Sequence, residues 1–318
     1  LGKVSLAAGA NAFTIKVTDA AGNQSPLSDA LTVTRDSAAP AKPAAPKLLA
    51  ADDTGASAID NITSRTQPTV TGSVEAAAAV DVFVNGDKRG SGLAAANGGF
   101  SIKLDTALAD GPYDVTVRAT DKAGNTSDAS PALKLTIDTS VPRITGVTAP
   151  AAKSSKAGDV LSFPVIFSAP VTVTGTPTID LVVGSNVRKA AYATGSGTNT
   201  LVFRYTIGTG DNDADGVALA SAIAVPTGAA IKSTANNNAA VLSFTPPDTS
   251  AVLVDTVAPV KPARPNLVAA DDSGVSDADD LTQKDVVTLD GTAEANGVVA
   301  VLRAGTLVGT AAADRSAE

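Results

Sequence analysis

Apolar and polar residues alternate along most of the chain. Val80, Val82 and Val84 form one alternating set; Phe100, Ile102 and Leu104 form a second, Tyr113, Val115 and Val117 a third, and Leu133, Leu135 and Ile137 a fourth. A period of two puts each set on one face of a half-buried strand. Asn85-Gly86, Asn97-Gly98-Gly99 and Asp110-Gly111-Pro112 lie between the sets, and these are residues that close hairpins and turns. The same period returns downstream in Leu161, Phe163, Val165 and Phe167, in Ile179, Leu181 and Val183, and in Leu201, Phe203 and Tyr205. No stretch carries a sustained 3.6-residue period with caps. The pattern predicts strands throughout.

The strands come in repeated blocks. Thr18-Asp19-Ala20-Ala21-Gly22-Asn23 recurs as Thr120-Asp121-Lys122-Ala123-Gly124-Asn125. Asp36-Ser37-Ala38-Ala39-Pro40 returns as Asp138-Thr139-Ser140-Val141-Pro142 and again as Asp255-Thr256-Val257-Ala258-Pro259. Proline ends a strand and stiffens a connection, so these pieces read as boundaries. Ala51-Asp52-Asp53-Thr54-Gly55 matches Ala270-Asp271-Asp272-Ser273-Gly274, with Gly72 and Glu75 falling on Gly291 and Glu294. Residues 36–138 therefore read as one complete repeat. Residues 1–35 read as the C-terminal part of another and 256–318 as the N-terminal part of a third; 139–255 is a divergent module of similar size. The ends read as cut from a longer array, with strand exchange between successive chains as the alternative. About seven strands in ~100 residues predicts an immunoglobulin-like β-sandwich for each block. The fold class expected is all-β, with tandem sandwiches in a linear rod.

Composition narrows the chemistry. The chain has no His, Cys, Met or Trp. That removes imidazole acid–base work, thiol nucleophiles, disulfides and the usual zinc sets, and an enzyme is not expected. The net charge of −8 and a pI of about 4.6 disfavour nucleic acid as a partner. No apolar run is long enough to span a membrane. Six of the aromatics (Phe163, Phe167, Tyr192, Phe203, Tyr205 and Phe244) fall in 139–255, which predicts the bulkier core there. Of the 32 acidic residues only Glu75, Glu294 and Glu318 are glutamate. Aspartate belongs to turns and calcium loops rather than to helical surfaces.

Three acidic groups qualify for weighing as cation sites. The first is Asp52, Asp53, Asp60 and Asn61, whose carboxylates repel one another unless a cation neutralises them. Its duplicate holds Asp271, Asp272, Asp277, Asp279 and Asp280. A solvated loop of Asx-turns is the alternative. The second is Asp211, Asp213, Asp215 and Gly216, spaced like the start of an EF-hand loop. Ala222 stands where that loop needs Glu and no helix is expected, so an EF-hand is rejected; a calcium-holding β-loop and a plain acidic turn both remain. The third is distributed. The loop holding Asp52–Asn61 is expected at the downstream pole of the repeat near Asp138, and Asp121 with Asn125 at the upstream pole near Asp36. Turn-shaping is the alternative role for Asp121 and Asn125.

The Thr-Asp-x-Ala-Gly-Asn loops, the Asp-Thr-x-x-Pro junctions and the Asp-Asp-Thr-Gly…Asp-Asn segment resemble bacterial Ig-like repeats. The middle module, with Phe167-Ser168-Ala169-Pro170-Val171-Thr172-Val173-Thr174-Gly175 and Gly210–Gly216, resembles a second Ig-like family of similar surface proteins. The resemblance implies a stalk segment of a giant secreted adhesin of the cell surface, of the type exported by type I secretion and supporting adhesion or biofilm. It implies structural calcium at the acidic loops, neighbouring Ig-like domains as partners, lateral or end-to-end self-association as a possibility to test, and an extracellular location. A carbohydrate-binding module is the rival reading, although Tyr113, Tyr192 and Tyr205 fall in alternating sets that point them at cores.

Overall fold

The computed structural model describes residues 2–276 and 279–314; Asp277 lies outside the described residues. Every regular element among them is a strand. The N-terminal piece contributes one antiparallel pair, β1 (Gly9–Phe13) and β2 (Leu31–Arg35).

The complete repeat holds β3 (Lys47–Leu48), β4 (Ile62–Thr63), β5 (Thr69–Ser73), β6 (Ala79–Val84), β7 (Asp87–Leu93), β8 (Gly99–Lys103), β9 (Gly111–Thr120) and β10 (Leu133–Ile137). A five-stranded sheet ordered β4-β10-β9-β6-β7 faces a three-stranded sheet ordered β3-β5-β8. The expected seven strands become eight for a physical reason. The acidic loop breaks the first strand, so β3 pairs antiparallel with β5 in one sheet and β4 pairs parallel with β10 in the other. The alternating sets meet between the layers. Val70, Val80, Val82, Ile102, Val115, Val117, Leu135 and Ile137 share one buried cluster, and each such side chain contributes about 1.5–3 kcal/mol relative to exposure. Asn85 and Gly86 both have positive φ, 50° and 93°, as the tight β6–β7 turn requires. Ahead of β3, Pro40, Pro43 and Pro46 are buried between exposed neighbours, the three-residue period of a polyproline stretch.

The middle module holds β11 (Ile144–Val147), β12 (Lys153–Ser155), β13 (Val160–Thr174), β14 (Thr178–Val183), β15 (Asn186–Thr194), β16 (Thr198–Thr206), β17 (Ala218–Ala224), β18 (Ala230–Ser233) and β19 (Val252–Val254). Strand β13 pairs with β16 through its first half and with β18 through its last residues, with a register break between Ile166 and Val171. One long strand thus takes two successive partners in the same sheet. Phe163, Phe167 and Phe203 lie at the centre of this core, the bulkier one. The parallel pair β12–β19 repeats the β4–β10 device of the complete repeat. The two cores share no residue, and no sheet crosses from one module to the other. These are tandem immunoglobulin-like sandwiches.

The C-terminal piece carries β20 (Asn266–Leu267), β21 (Leu289–Asp290), β22 (Val298–Arg303) and β23 (Thr306–Ala312). The end pieces keep local pairing and lose the rest. Strand β9 runs to Thr120 because β6 pairs with its second half. Its counterpart β1 stops at Phe13, with no such neighbour beside Ile15 and Val17, and both side chains are exposed.

Candidate metal centre and module junctions

The loop between β3 and β4 is anchored by Asp52 and closed by Asp53 and Asp60. Thr69 N donates to Asp52 Oδ2 at 2.7 Å, which pins the loop to the start of β5. Asn61 N donates to Asp53 Oδ2 at 3.4 Å, and Asp53 Oδ1 is buried with no hydrogen-bond partner. Asp60 caps its own turn, accepting from Ser57 N at 2.9 Å and Ile62 N at 3.0 Å. Gly55 makes room for it, since a Cβ there would collide with the Asp60 carboxylate. The Asp53 and Asp60 side chains meet. Burial pushes the Asp53 carboxyl up and the neighbouring Asp60 charge adds to that. Asp60 stays below its ordinary range because the bonds from Ile62, Ser57 and Asp53 outweigh its own burial.

The duplicate loop repeats this geometry. Thr288 N donates to Asp271 Oδ2 at 2.6 Å and Asp280 N to Asp272 Oδ2 at 3.1 Å. Asp272 Oδ1, like Asp53 Oδ1, is buried without a partner. A Cβ on Gly274 would lie 2.7 Å from Asp279 Oδ1. Asn61 and Asp280 share a left-handed backbone, with φ of 56° and 59°. Lys284 Nζ contacts Asp271 Oδ1 at 2.6 Å, and with the Thr288 bonds it holds that carboxyl down to about 2. Asp280 pairs with Arg264. A hard cation fits this donor chemistry: one buried carboxylate oxygen is unpaired in each copy, and in the first copy Asp53 and Asp60 also meet. Among the described residues no three acidic side chains already converge at metal distance.

The loop at Asp211–Gly216 is built differently. Asp211 is fully buried and takes Arg188 Nε at 2.8 Å, Arg188 Nη2 at 2.8 Å, Gly208 N at 2.9 Å and the Tyr205 hydroxyl. Burial pushes its carboxyl up, but the bonds from Tyr205, Gly208 and Arg188 win and hold it below the ordinary range. Tyr205 is pushed up by burial and by the Asp211 charge. Asp213 accepts Gly184 N at 2.7 Å and Gly216 N at 2.8 Å, and Asp215 is exposed. The trio does not fit a cation cage, because Asp211 and Asp213 are filled by the protein's own donors.

At the upstream pole Asp121 Oδ1 accepts Ala123 N at 2.8 Å and Asn125 N at 2.9 Å, while Asn125 Nδ2 donates to Asp121 Oδ2 at 2.8 Å. The Asn125 bond leads those that hold this carboxyl low. Asp19 and Asn23 repeat the turn. Asn125 Nδ2 also reaches Asp36 O at 3.4 Å, and Asp36, Glu75 and Asp121 line one cleft of about 450 Å³. Downstream, Asp138 N donates to Thr63 O at 2.9 Å, so the chain leaving the acidic loop ends beside the junction. The Asp138 carboxylate turns to Ser140 N at 3.0 Å.

Sequence reasoning missed several side chains that do much of the work here. Ser127 and Ser130 Oγ each bond a β9 amide at 3.0 Å; their recurrence as Ser25 and Ser28 was the available signal. The run Asn236-Asn237-Asn238 at the downstream junction was another. Asp110 showed only as part of a turn, and Arg188 carried no signal.

Residues 39–139 match the family model described as a bacterial Ig-like domain. The match spans the complete Ig-like repeat and not the flanking pieces or the middle module. No curated protein matches the chain. A solved structure described as "Crystal structure of tetra-tandem repeat in extending region of large adhesion protein" aligns with 98% of this chain and 75% of its own, at 16% identity and a TM-score of 0.27. A score that low does not establish a shared arrangement of modules.

Proposed function

We propose that this chain is a non-enzymatic stalk segment of a bacterial surface adhesin, extracellular, with calcium held at Asp53 and Asp60 and at Asp272 and Asp279. The observation that carries the reading is the pair of closed, separate cores strung on a short connector. Such modules add length with each repeat. The resemblance of the junctions and acidic loops to adhesin repeats supports the adhesive context, and with it cell attachment, biofilm and type I export. Calcium would replace repulsion between Asp53 and Asp60 with a crosslink. Extracellular modules bind calcium with Kd around 10⁻⁴–10⁻³ M, so the sites fill outside the cell.

Small-angle scattering in millimolar calcium, paired with calcium titration calorimetry, tests this. An elongated particle with saturable calcium binding is expected. A compact globular profile would remove the stalk. Absence of binding heat and of a thermal shift would remove calcium alone. Strong hits on a glycan array would favour a carbohydrate-binding module instead.

A further inference from the structure

Two sandwiches joined by a short linker and a small interface ordinarily move relative to each other. The connector between the complete repeat and the middle module leaves little slack for that. Asp138 N is bonded to Thr63 O, within the complete repeat. Thr139 N and Oγ1 both donate to Asp110 Oδ1, at 3.0 and 2.8 Å, again within that repeat. From Ser140 onward the partners belong to the middle module. Asn236 Nδ2 reaches Ser140 O at 2.7 Å, Ser140 Oγ at 3.2 Å and Asp138 O at 3.2 Å. Asn238 Nδ2 donates to Ser140 O at 2.9 Å. Val241 N then donates to Pro142 O at 2.8 Å; Ser168 N donates to Arg143 O, and Ser168 Oγ accepts Arg143 N.

We propose that Asp110, Asn236 and Asn238 clamp Asp138–Ser140 and lock the complete repeat and the middle module into one rigid body without a cation. The run of asparagines is shaped for this. Asn237 sits at φ 59°, a conformation asparagine tolerates better than most residues. The turn brings Asn236 and Asn238 onto the same carbonyl. Asn236 is fully buried, and its Oδ1 is held by Asn238 N at 3.0 Å. Releasing the connector would leave a buried amide unpaired, which is unfavourable. Asp110 and Asp138 are engaged by Thr139 and Ser140, so these two carboxylates call for no metal. The upstream junction differs: the Asp36 carbonyl receives a long bond from Asn125 at 3.4 Å, and the Asp36 carboxylate turns to Ala38 N at 3.0 Å.

This inference concerns one joint and stands whether or not the chain serves as a stalk. The absence of cysteine makes it directly measurable. Ser101→Cys on β8 and Ala193→Cys on β15, both exposed, carry a nitroxide pair in the full chain for pulsed electron resonance. A single narrow distance distribution in EDTA, unchanged by calcium, is expected. Asp110→Ala with Asn238→Ala should broaden it about twofold or more, with both modules still melting cooperatively. A broad distribution in EDTA that narrows with calcium would overturn the proposal, and so would a double variant as narrow as the parent. The EDTA measurement on the parent decides the matter even if the double variant fails to fold.

Discussion

Asp211 and Asp53 are both aspartates in short glycine-containing loops, each with further aspartates close by in sequence. Their surroundings are opposite. Asp211 is enclosed by Arg188, Tyr205 and Gly208 and is stabilised as an anion. Asp53 faces a second carboxylate, has one buried oxygen with no partner, and is destabilised as an anion. A run of aspartates therefore does not define a cation site. What matters is whether the chain itself supplies the positive partners, and of these two loops the one holding Asp53 leaves that role open.

The largest effect that can break this comparison is at Asp211. Asp211→Ala leaves the Arg188 guanidinium and the Tyr205 hydroxyl without their acceptor. Breaking a buried pair costs about 3 kcal/mol, at the low end of the usual range because Arg188 is partly exposed. Urea unfolding should show that loss in the middle module, with and without calcium. Asp53→Asn in EDTA should cost almost nothing. Equal losses at both sites would mean the loops are alike after all.

Calcium sharpens the contrast from the other side. At concentrations tenfold or more above a millimolar Kd, binding to the folded state adds about 1–3 kcal/mol. The gain should appear as a rise in the melting temperature of the complete repeat. Asp53→Asn with Asp60→Asn should abolish it, and Asp213→Asn should leave it unchanged. Loss of the response in Asp213→Asn would return the second loop to the list of cation sites.

The pattern of strands was readable because burial enforces a period of two. Val80, Val82 and Val84 could hardly point anywhere but inward once β9 covered them. The acidic residues were just as visible, yet their roles were not. Asp211 meets Arg188 because β15 and β16 are paired in a register that brings Arg188 and Tyr205 to one end of the sheet. Asp138 O meets Asn236, a residue 98 positions away along the chain. Such partners are fixed by pairing across the fold, and local spacing holds no trace of it. The break of the first strand into β3 and β4 was hidden for a related reason: two residues in each are too few to show a period.

Acid separates the loops by a smaller margin. The folded-state pKa of Asp211 is depressed, so its contribution to stability is complete above the unfolded aspartate value and is lost as pH falls through the folded one. The middle module should therefore lose stability on acidification below about pH 4, and Asp211→Asn should flatten that dependence in pH-dependent unfolding. Protonation is milder than truncation, because the neutral carboxyl still fills the space and keeps some of its bonds. A parent and variant with identical acid profiles would show that Arg188 and Tyr205 do not favour the charged form.

The smallest effect belongs to Asp215, which shares the spacing of Asp211 and Asp213 but is exposed. Asp215→Asn should change stability by less than about 0.5 kcal/mol and should leave calcium binding untouched in titration calorimetry. This near-silent substitution is a demanding check on the comparison. If the three aspartates acted together on an ion, removing the exposed one would weaken binding first, since it is the member with most freedom to swing toward the metal. If each acts alone, as the bonds to Arg188, Gly184 and Gly216 indicate, only the two buried ones matter, and they matter to folding rather than to metal.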